Sequence, residues 1–301
     1  MSEAPERDRP GREVDITWVE KYVTYQQYAN GTITPTDYHF LAEVCYARSN
    51  QFDGARASLY VDGSESPLAT FDPDEPRACS NGYYYTRKSK SHDDLPALEA
   101  AHPADTAYVW EIAGQGGSRR LAPIRIGGPQ QLTQIPDPSP ISLQQDGKPV
   151  ADLQQVRHDL PLTIGWQPFT SGESHAGTDW DDLIFALVSD AHGEMVFTGG
   201  APGLEGGFLD YTKTSTEVPA GILQPGMDHV VFISQVKYVD NNMCDGIQQL
   251  ACNSFAVELP IRTAGEPAAQ PDPVRRAPYL WGGKTPADQE MVSWPAFWKR
   301  Q

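Results

Sequence analysis

Between Leu160 and Thr263 the chain breaks into short β-rich runs, each closed by turn-forming residues. They read LPLTIGWQPF, DLIFALVSDAHGEMVFTG, TSTEVPAGILQPGMDHVVFISQVKYVD and CNSFAVELPIRT. β-Branched and aromatic residues fill the runs, and Gly, Pro, Asn and Asp separate them, which is the pattern of an antiparallel β-sandwich. From Ile184 to Val188 both alternating sets are apolar, so this segment predicts a strand covered on both faces. With 26 prolines and 26 glycines among 301 residues, long helices are excluded. Two short ones are expected, over Asp93–Ala101 and around Pro286–Ser293.

The rest of the chain organises around this module. Residues 1–13 (MSEAPERDRPGRE) have the composition of a disordered leader. A first β-sandwich is expected over 14–128, opening with a hairpin at Asn30-Gly31, a dipeptide suited to the tight turn between two strands. Further strands are expected at ARASLYV, SPLATFD, NGYYYTRKS, TAYVWEIAG and RLAPIRIGG. Residues 129–140, with Pro129, Pro136, Pro138 and Pro140, read as a stiff linker. The second sandwich then occupies 141–263. Residues 264–301 form a Pro-rich linker and a tail carrying Tyr279, Trp281, Trp294, Phe297 and Trp298. So many rings are costly to leave in water, so the tail is expected to dock, either on its own sandwiches or on another subunit. The fold class expected is therefore all-β, with two tandem antiparallel β-sandwich domains and an extended aromatic C-terminal tail.

Charge narrows the partners. A formal net charge of −17 repels phosphate backbones, which excludes nucleic acid. The segment after Ala264 is nearly neutral, with Arg275, Arg276, Lys284, Lys299 and Arg300 against Glu266, Asp272, Asp288 and Glu290. No apolar run reaches the ~20 residues of a transmembrane helix. The acidic, Tyr-rich, Lys-poor composition suits a secreted, periplasmic or cell-surface protein, and equally a salt-adapted cytosolic one. In the exported case the numbered chain starts after a cleaved signal peptide. Four cysteines, Cys45 and Cys79 in the first half and Cys244 and Cys252 in the second, are expected to form one disulfide per domain.

The second half also resembles a recurrent β-sandwich of bacterial exported proteins, immunoglobulin-like or fibronectin type III-like. The likeness is carried by the Leu-Thr-Ile-Gly-Trp strand, the Asp-Leu-Ile-Phe strand and the turn from Val218 through Pro219, Ala220, Gly221, Ile222, Leu223, Gln224 and Pro225 to Gly226. Ahead of it, Leu98, Pro103 and Tyr108 match a turn of the domain that often precedes such a module, with Asp105 where that pattern favours Gly. The resemblance covers about residues 90–263. It implies export and tandem sandwiches, and it implies no reaction.

Chemistry-bearing motifs are sparse. The seven histidines lack the H-E-x-x-H spacing of a zinc site, no G-x-S-x-G elbow occurs, and EIAGQGGSRR lacks the Lys-Ser/Thr of a phosphate loop. Asp240, Asn242 and Asp245 cluster beside Cys244, and hard oxygen ligands in a loop suit an irregular Ca²⁺ site, but ordinary solvated turns are the default and no cofactor is expected beyond that alternative. A second acidic loop holds Glu173, Asp179, Asp181 and Asp182. Tyr83 and Tyr85, with Tyr22, Tyr25 and Tyr28, offer rings for a glycan or for cross-strand packing. The leading expectation is a non-catalytic structural or assembly protein outside the cytoplasm, a homo-oligomer joined through its tail. A carbohydrate- or calcium-binding accessory module of a secreted enzyme system is the alternative, and a hydrolase with an interdomain site is the weaker one.

Overall fold

The computed structural model describes residues 14–46, 56–72, 78–80, 83–114, 117–127, 137–175, 181–191, 195–199 and 209–267, with 46, 78–80 and 83–85 described as backbone. In chain order the first half gives β1 (Val14–Gln27), β2 (Ile33–Tyr46), β3 (Arg56–Val61), β4 (Ala69–Phe71), β5 (Ala78–Ser80), β6 (Tyr83–His92), α1 (Leu95–Ala101), β7 (Ala107–Gly114), β8 (Gly117–Arg120) and β9 (Ile124–Arg125). The second half gives β10 (Ser142–Gln145), β11 (Lys148–Pro149), β12 (Leu162–Gly165), β13 (Leu183–Asp190), β14 (Met195–Thr198), β15 (Leu209–Asp210), β16 (Ser215–Val218), β17 (Asp228–Cys244) and β18 (Ile247–Arg262). The protein is all-β, as its turn-punctuated runs predict, and α1 is the one helix among the described residues. Its N-cap is Asp94, whose side chain accepts from Ala97 N.

Three sheets form. The largest has nine strands in the order β14-β13-β17-β18-β1-β2-β6-β5, with β15 also on β13. A four-stranded sheet runs β11-β10-β12-β16, and a five-stranded one runs β4-β3-β7-β8 with β9 on β7. The nine-stranded sheet draws from both halves of the chain, because β1 pairs in parallel with β18 from Ile16↔Gln248 to Gln26↔Glu258. Where the sequence leads one to expect two separate modules and a linker, hydrogen bonds make a single layer. Gln27 reinforces the join, donating to Ile141 O at 2.9 Å and accepting from Ile141 N at 2.7 Å.

Strand alternation sorts the side chains of this sheet onto two faces. On the inner face Val19, Phe40, Val44, Val239, Ile247 and Ala251 pack with Leu59, Trp110 and Ile124 of the five-stranded sheet. Further along the same face Ile184, Ala186, Val231, Ile233, Phe255 and Val257 pack with Leu143, Leu162, Ile164 and Val218 of the four-stranded sheet. The architecture is therefore two sandwiches that share one layer. Residues 239–251 of the β17–β18 hairpin close the core of the first half. β13 is buried along its whole length, in keeping with its two apolar faces.

The expected turns are in place. Gly31 (φ 82) turns β1 into β2. Gly226 (φ 66) sits where a Cβ would meet Pro267 N at 2.5 Å, so only glycine fits the turn before β17. Leu98 and Tyr108 are core residues, and His102 between them stacks on Phe40 at 3.8 Å while its Nδ1 lies 3.0 Å from Tyr108 Oη.

Candidate functional site

Two groups of side chains carry most of the polar chemistry, and the large sheet positions both. The first lies on the inner face, between the two apolar clusters. Lys237 stands opposite Asn253 on β18, and Asn253 stands opposite Lys21 on β1. Both lysines are buried, 3% and 0% exposed. Lys21 Nζ donates to both carboxylate oxygens of Glu99 on α1, at 2.9 and 2.8 Å. Lys237 Nζ donates to Asp182 Oδ2 at 2.8 Å, Glu173 Oε1 at 2.7 Å and Ser171 O at 2.9 Å. Asp182, fully buried, also accepts from Tyr238 N and Glu173 N, and its Oδ1 is 2.8 Å from His175 Nε2. The hydrogen bond from Lys237 holds the Glu173 carboxyl below its ordinary range.

Glu173, His175 and Asp182 bring their ligand atoms within 4.8 Å of one another, a grouping that could hold a metal ion. The ammonium of Lys237 already engages two members of that group, Glu173 and Asp182. Its three protons meet three oxygens, so a cation is built in and a metal would have to displace it. The arrangement locks the start of β13 to β17. Neither Lys237 nor Lys21 figures among the residues expected from sequence to matter. The signal was a lysine at an inward position of an apolar strand, in WVEKYV and FISQVKYV, because such a lysine is tolerated only with a partner.

The second group lies on the outer face. On β1, β2 and β6 this face carries polar groups, although Ile16 and Trp18 of β1 pack against the apolar cluster of the neighbouring strands. Glu20 accepts from Trp18 Nε1 at 3.0 Å and from Ser254 Oγ. Arg87 Nε donates to Glu43 Oε2 at 2.6 Å, and Tyr22 stacks on His39 with ring centroids 4.6 Å apart. On β13, β17 and β18 the same face is apolar, with Phe185, Leu187, Phe232, Val236, Tyr238 and Leu250 in one cluster.

Burial pushes the Glu20 carboxyl up to about 7 from its ordinary 4.5, outweighing the hydrogen bond from Ser254. The unfolded chain ionises this group near 4.5 and the folded chain keeps its proton to about 7. Its contribution to stability is therefore full below 4.5 and is lost as pH rises towards and through 7. Glu20→Gln, which mimics the protonated acid, is expected to gain on the unsubstituted protein as pH rises from 4.5 to 8, measured as the urea midpoint at each pH. Buried His102 works in the opposite sense. Desolvation lowers it from 6.5 to about 3, so its share is present above 6.5 and is lost as pH falls towards 3.

The residues expected to bind calcium are placed differently. Asp240, Asn242 and Asp245 belong to the β17–β18 hairpin, whose turn is Asp245-Gly246 with φ values of 52 and 78. Asp240 Oδ2 accepts from Arg125 N at 2.9 Å, Asn242 Oδ1 accepts from Gln249 Nε2, and Asp245 Oδ2 lies 4.0 Å from Arg119. Asp240 and Asp245 thus face the segment 119–125, while Asn242 bonds within the hairpin. Gly246→Ala is expected to cost about 1–2 kcal/mol in urea unfolding, because the turn needs the left-handed region.

The expected Cys45–Cys79 pair rests on a side chain outside the described residues, and the expected Cys244–Cys252 pair is placed apart. Cys45, Cys244 and Cys252 are free thiols. Cys244 pairs in the ladder with Ile247 and packs against the inner first-half core, whereas Cys252 pairs with Tyr238 on the outer face. Opposite faces of a sheet cannot be bridged by one S–S bond. Cys45 donates its thiol proton to Glu43 Oε1 at 3.5 Å. The Cys79 side chain, the rings of Tyr83 and Tyr85, and Tyr279, Trp281, Trp294, Phe297 and Trp298 lie outside the described residues.

No family model matches the chain, and no curated protein matches it. Among solved structures it is similar to the chicken CNTN1 FN1-FN3 domains, at 8% identity and a TM-score of 0.22, over 84% of this chain and 66% of that one. It is also similar to the BSP domain of a biofilm associated protein, at 8% identity and a TM-score of 0.16, over 86% of this chain and 68% of that one. Scores this low do not mark a shared fold. What the strands themselves define is a layered all-β protein of the sandwich class. Among its described residues no helix is long and apolar enough to cross a membrane.

Proposed function

We propose that the protein is a non-catalytic structural and assembly module of the bacterial surface, outside the cytoplasm, that self-associates through its aromatic C-terminal residues. The observation that carries this reading is the one-sidedness of the large sheet. Both smaller sheets pack on its inner face, while an apolar cluster of β13, β17 and β18 occupies the other face. The residues of that cluster are at most 8% exposed, which supports a covering element on the side away from the smaller sheets. The charged groups support the same reading, since Lys21, Lys237, Asp182, Glu99 and Glu43 are each engaged with another protein group. The acidic, lysine-poor composition is what supports a location outside the cytoplasm.

Sedimentation of the full chain tests assembly. The expected result is a multimer at micromolar concentration that becomes a monomer on replacing Trp281, Trp294 and Trp298 together by Ser. A full chain that is monomeric at every concentration would overturn the assembly reading. Fractionation of the native host tests the location, and recovery in the cytosol alone would overturn that part.

A further inference from the structure

We infer that the docking site of the aromatic tail is the apolar half of the outer face of the nine-stranded sheet, the occupant being residues 279–298 of this same chain. The inference rests on the reading just given and names the surface that reading leaves open. Phe185, Leu187, Phe232, Val236, Tyr238 and Leu250 line the face. All six are at most 8% exposed, although both smaller sheets lie on the opposite side. Tyr238 has the rings of Trp18 and His175 edge-on against it, with centroids 5.6 and 5.9 Å away.

The sequence says which segment has the rings to cover the face. Of the stretches outside the described residues, three hold a single large ring each, Phe52, Trp180 and Phe208. Residues 268–301 hold five: Tyr279, Trp281, Trp294, Phe297 and Trp298. The tail leaves the described chain at Pro267, just past the end of β18, which is itself a strand of this face. Extended, the stretch from Pro267 to Trp298 reaches up to about 100 Å, against about 55 Å for the 17 residues of β17. The tail can therefore run back along the sheet that it leaves. Covalent attachment keeps its effective concentration at the face high, so in dilute solution the tail covers its own copy. Exchange of tails between copies at higher concentration is the form that assembly then takes.

Cys252 is a native reporter, being a free thiol, 0% exposed, in the middle of this face. The native full chain is treated with a small maleimide, and Cys252 labelling is followed by peptide mass mapping. Alongside it goes the Trp281→Ser, Trp294→Ser, Trp298→Ser variant, with hydrogen exchange of β17 and β18 confirming that the ladder is intact. Cys252 labelling is expected to rise about tenfold or more in the variant, while Cys244, on the other face, is unchanged. Equal Cys252 labelling in the two proteins would overturn the inference.

If the triple variant does not fold, Phe232→Glu on the face serves instead. Tryptic cleavage after Lys284, between Trp281 and Trp294, is expected to be slow in the unsubstituted chain and fast in this variant, and equal rates would overturn the inference. The two proposals fail separately. A monomer whose Cys252 is shielded by the tail refutes assembly and keeps docking, whereas a multimer whose Cys252 ignores the tail refutes docking and keeps assembly.

Discussion

Asp182→Ala is expected to destabilise the protein by about 3–5 kcal/mol, read as the shift in urea unfolding. The substitution leaves the Lys237 ammonium buried with Ser171 O and the outward Glu173 as its remaining partners. It also strips an acceptor from Tyr238 N and Glu173 N. Lys237→Met should cost less, because Asp182 then keeps two backbone donors and His175. The double variant Asp182→Ala, Lys237→Met should recover part of the single loss, since no buried charge is stranded. Equal costs for the two single variants, with simple addition in the double, would mean that Lys237 and Asp182 do not act as a pair.

Trp110→Ala carries the other large effect, about 3–5 kcal/mol for removing a fully buried indole. Trp110 sits on β7 opposite Leu59 and packs near Phe71, with ring centroids 5.6 Å apart. The same core contains Val239, Ile247 and Ala251, so the substitution loosens a core that both halves share. Unfolding of the variant is therefore expected to remain one transition at a lower urea midpoint, seen alike by far-UV circular dichroism and by tryptophan fluorescence. Two separated transitions would show that the first half is an independent unit.

The parts of this fold that are local in origin were legible in the sequence. The alternating runs place the strands, Asn30-Gly31 turns β1 into β2, and Pro225-Gly226 sets the turn ahead of β17. Parallel pairing of β1 with β18 was not legible. Ile16 and Gln248 lie far apart along the chain, and a period-two pattern says which face a residue occupies without saying which strand comes next. The Asp245-Gly246 turn was written in the sequence as plainly as Asn30-Gly31. The neighbouring acids and cysteines favour a calcium loop or a disulfide when read by composition, yet a two-residue turn between long apolar strands needs neither. The charged row depends on partners far away in the chain, Asp182 for Lys237 and Glu99 for Lys21, and only the lysines' inward position announced it.

All of this rests on the continuity of the nine-stranded sheet across the two halves, which native-state hydrogen exchange reads at the amides of β1. Those amides, from Ile16 to Gln26, are predicted to open with the same free energy as the centres of β17 and β18, as members of one cooperative layer. Exchange of β1, β2 and β6 together at a clearly lower free energy, while β17 and β18 stay protected, would contradict it.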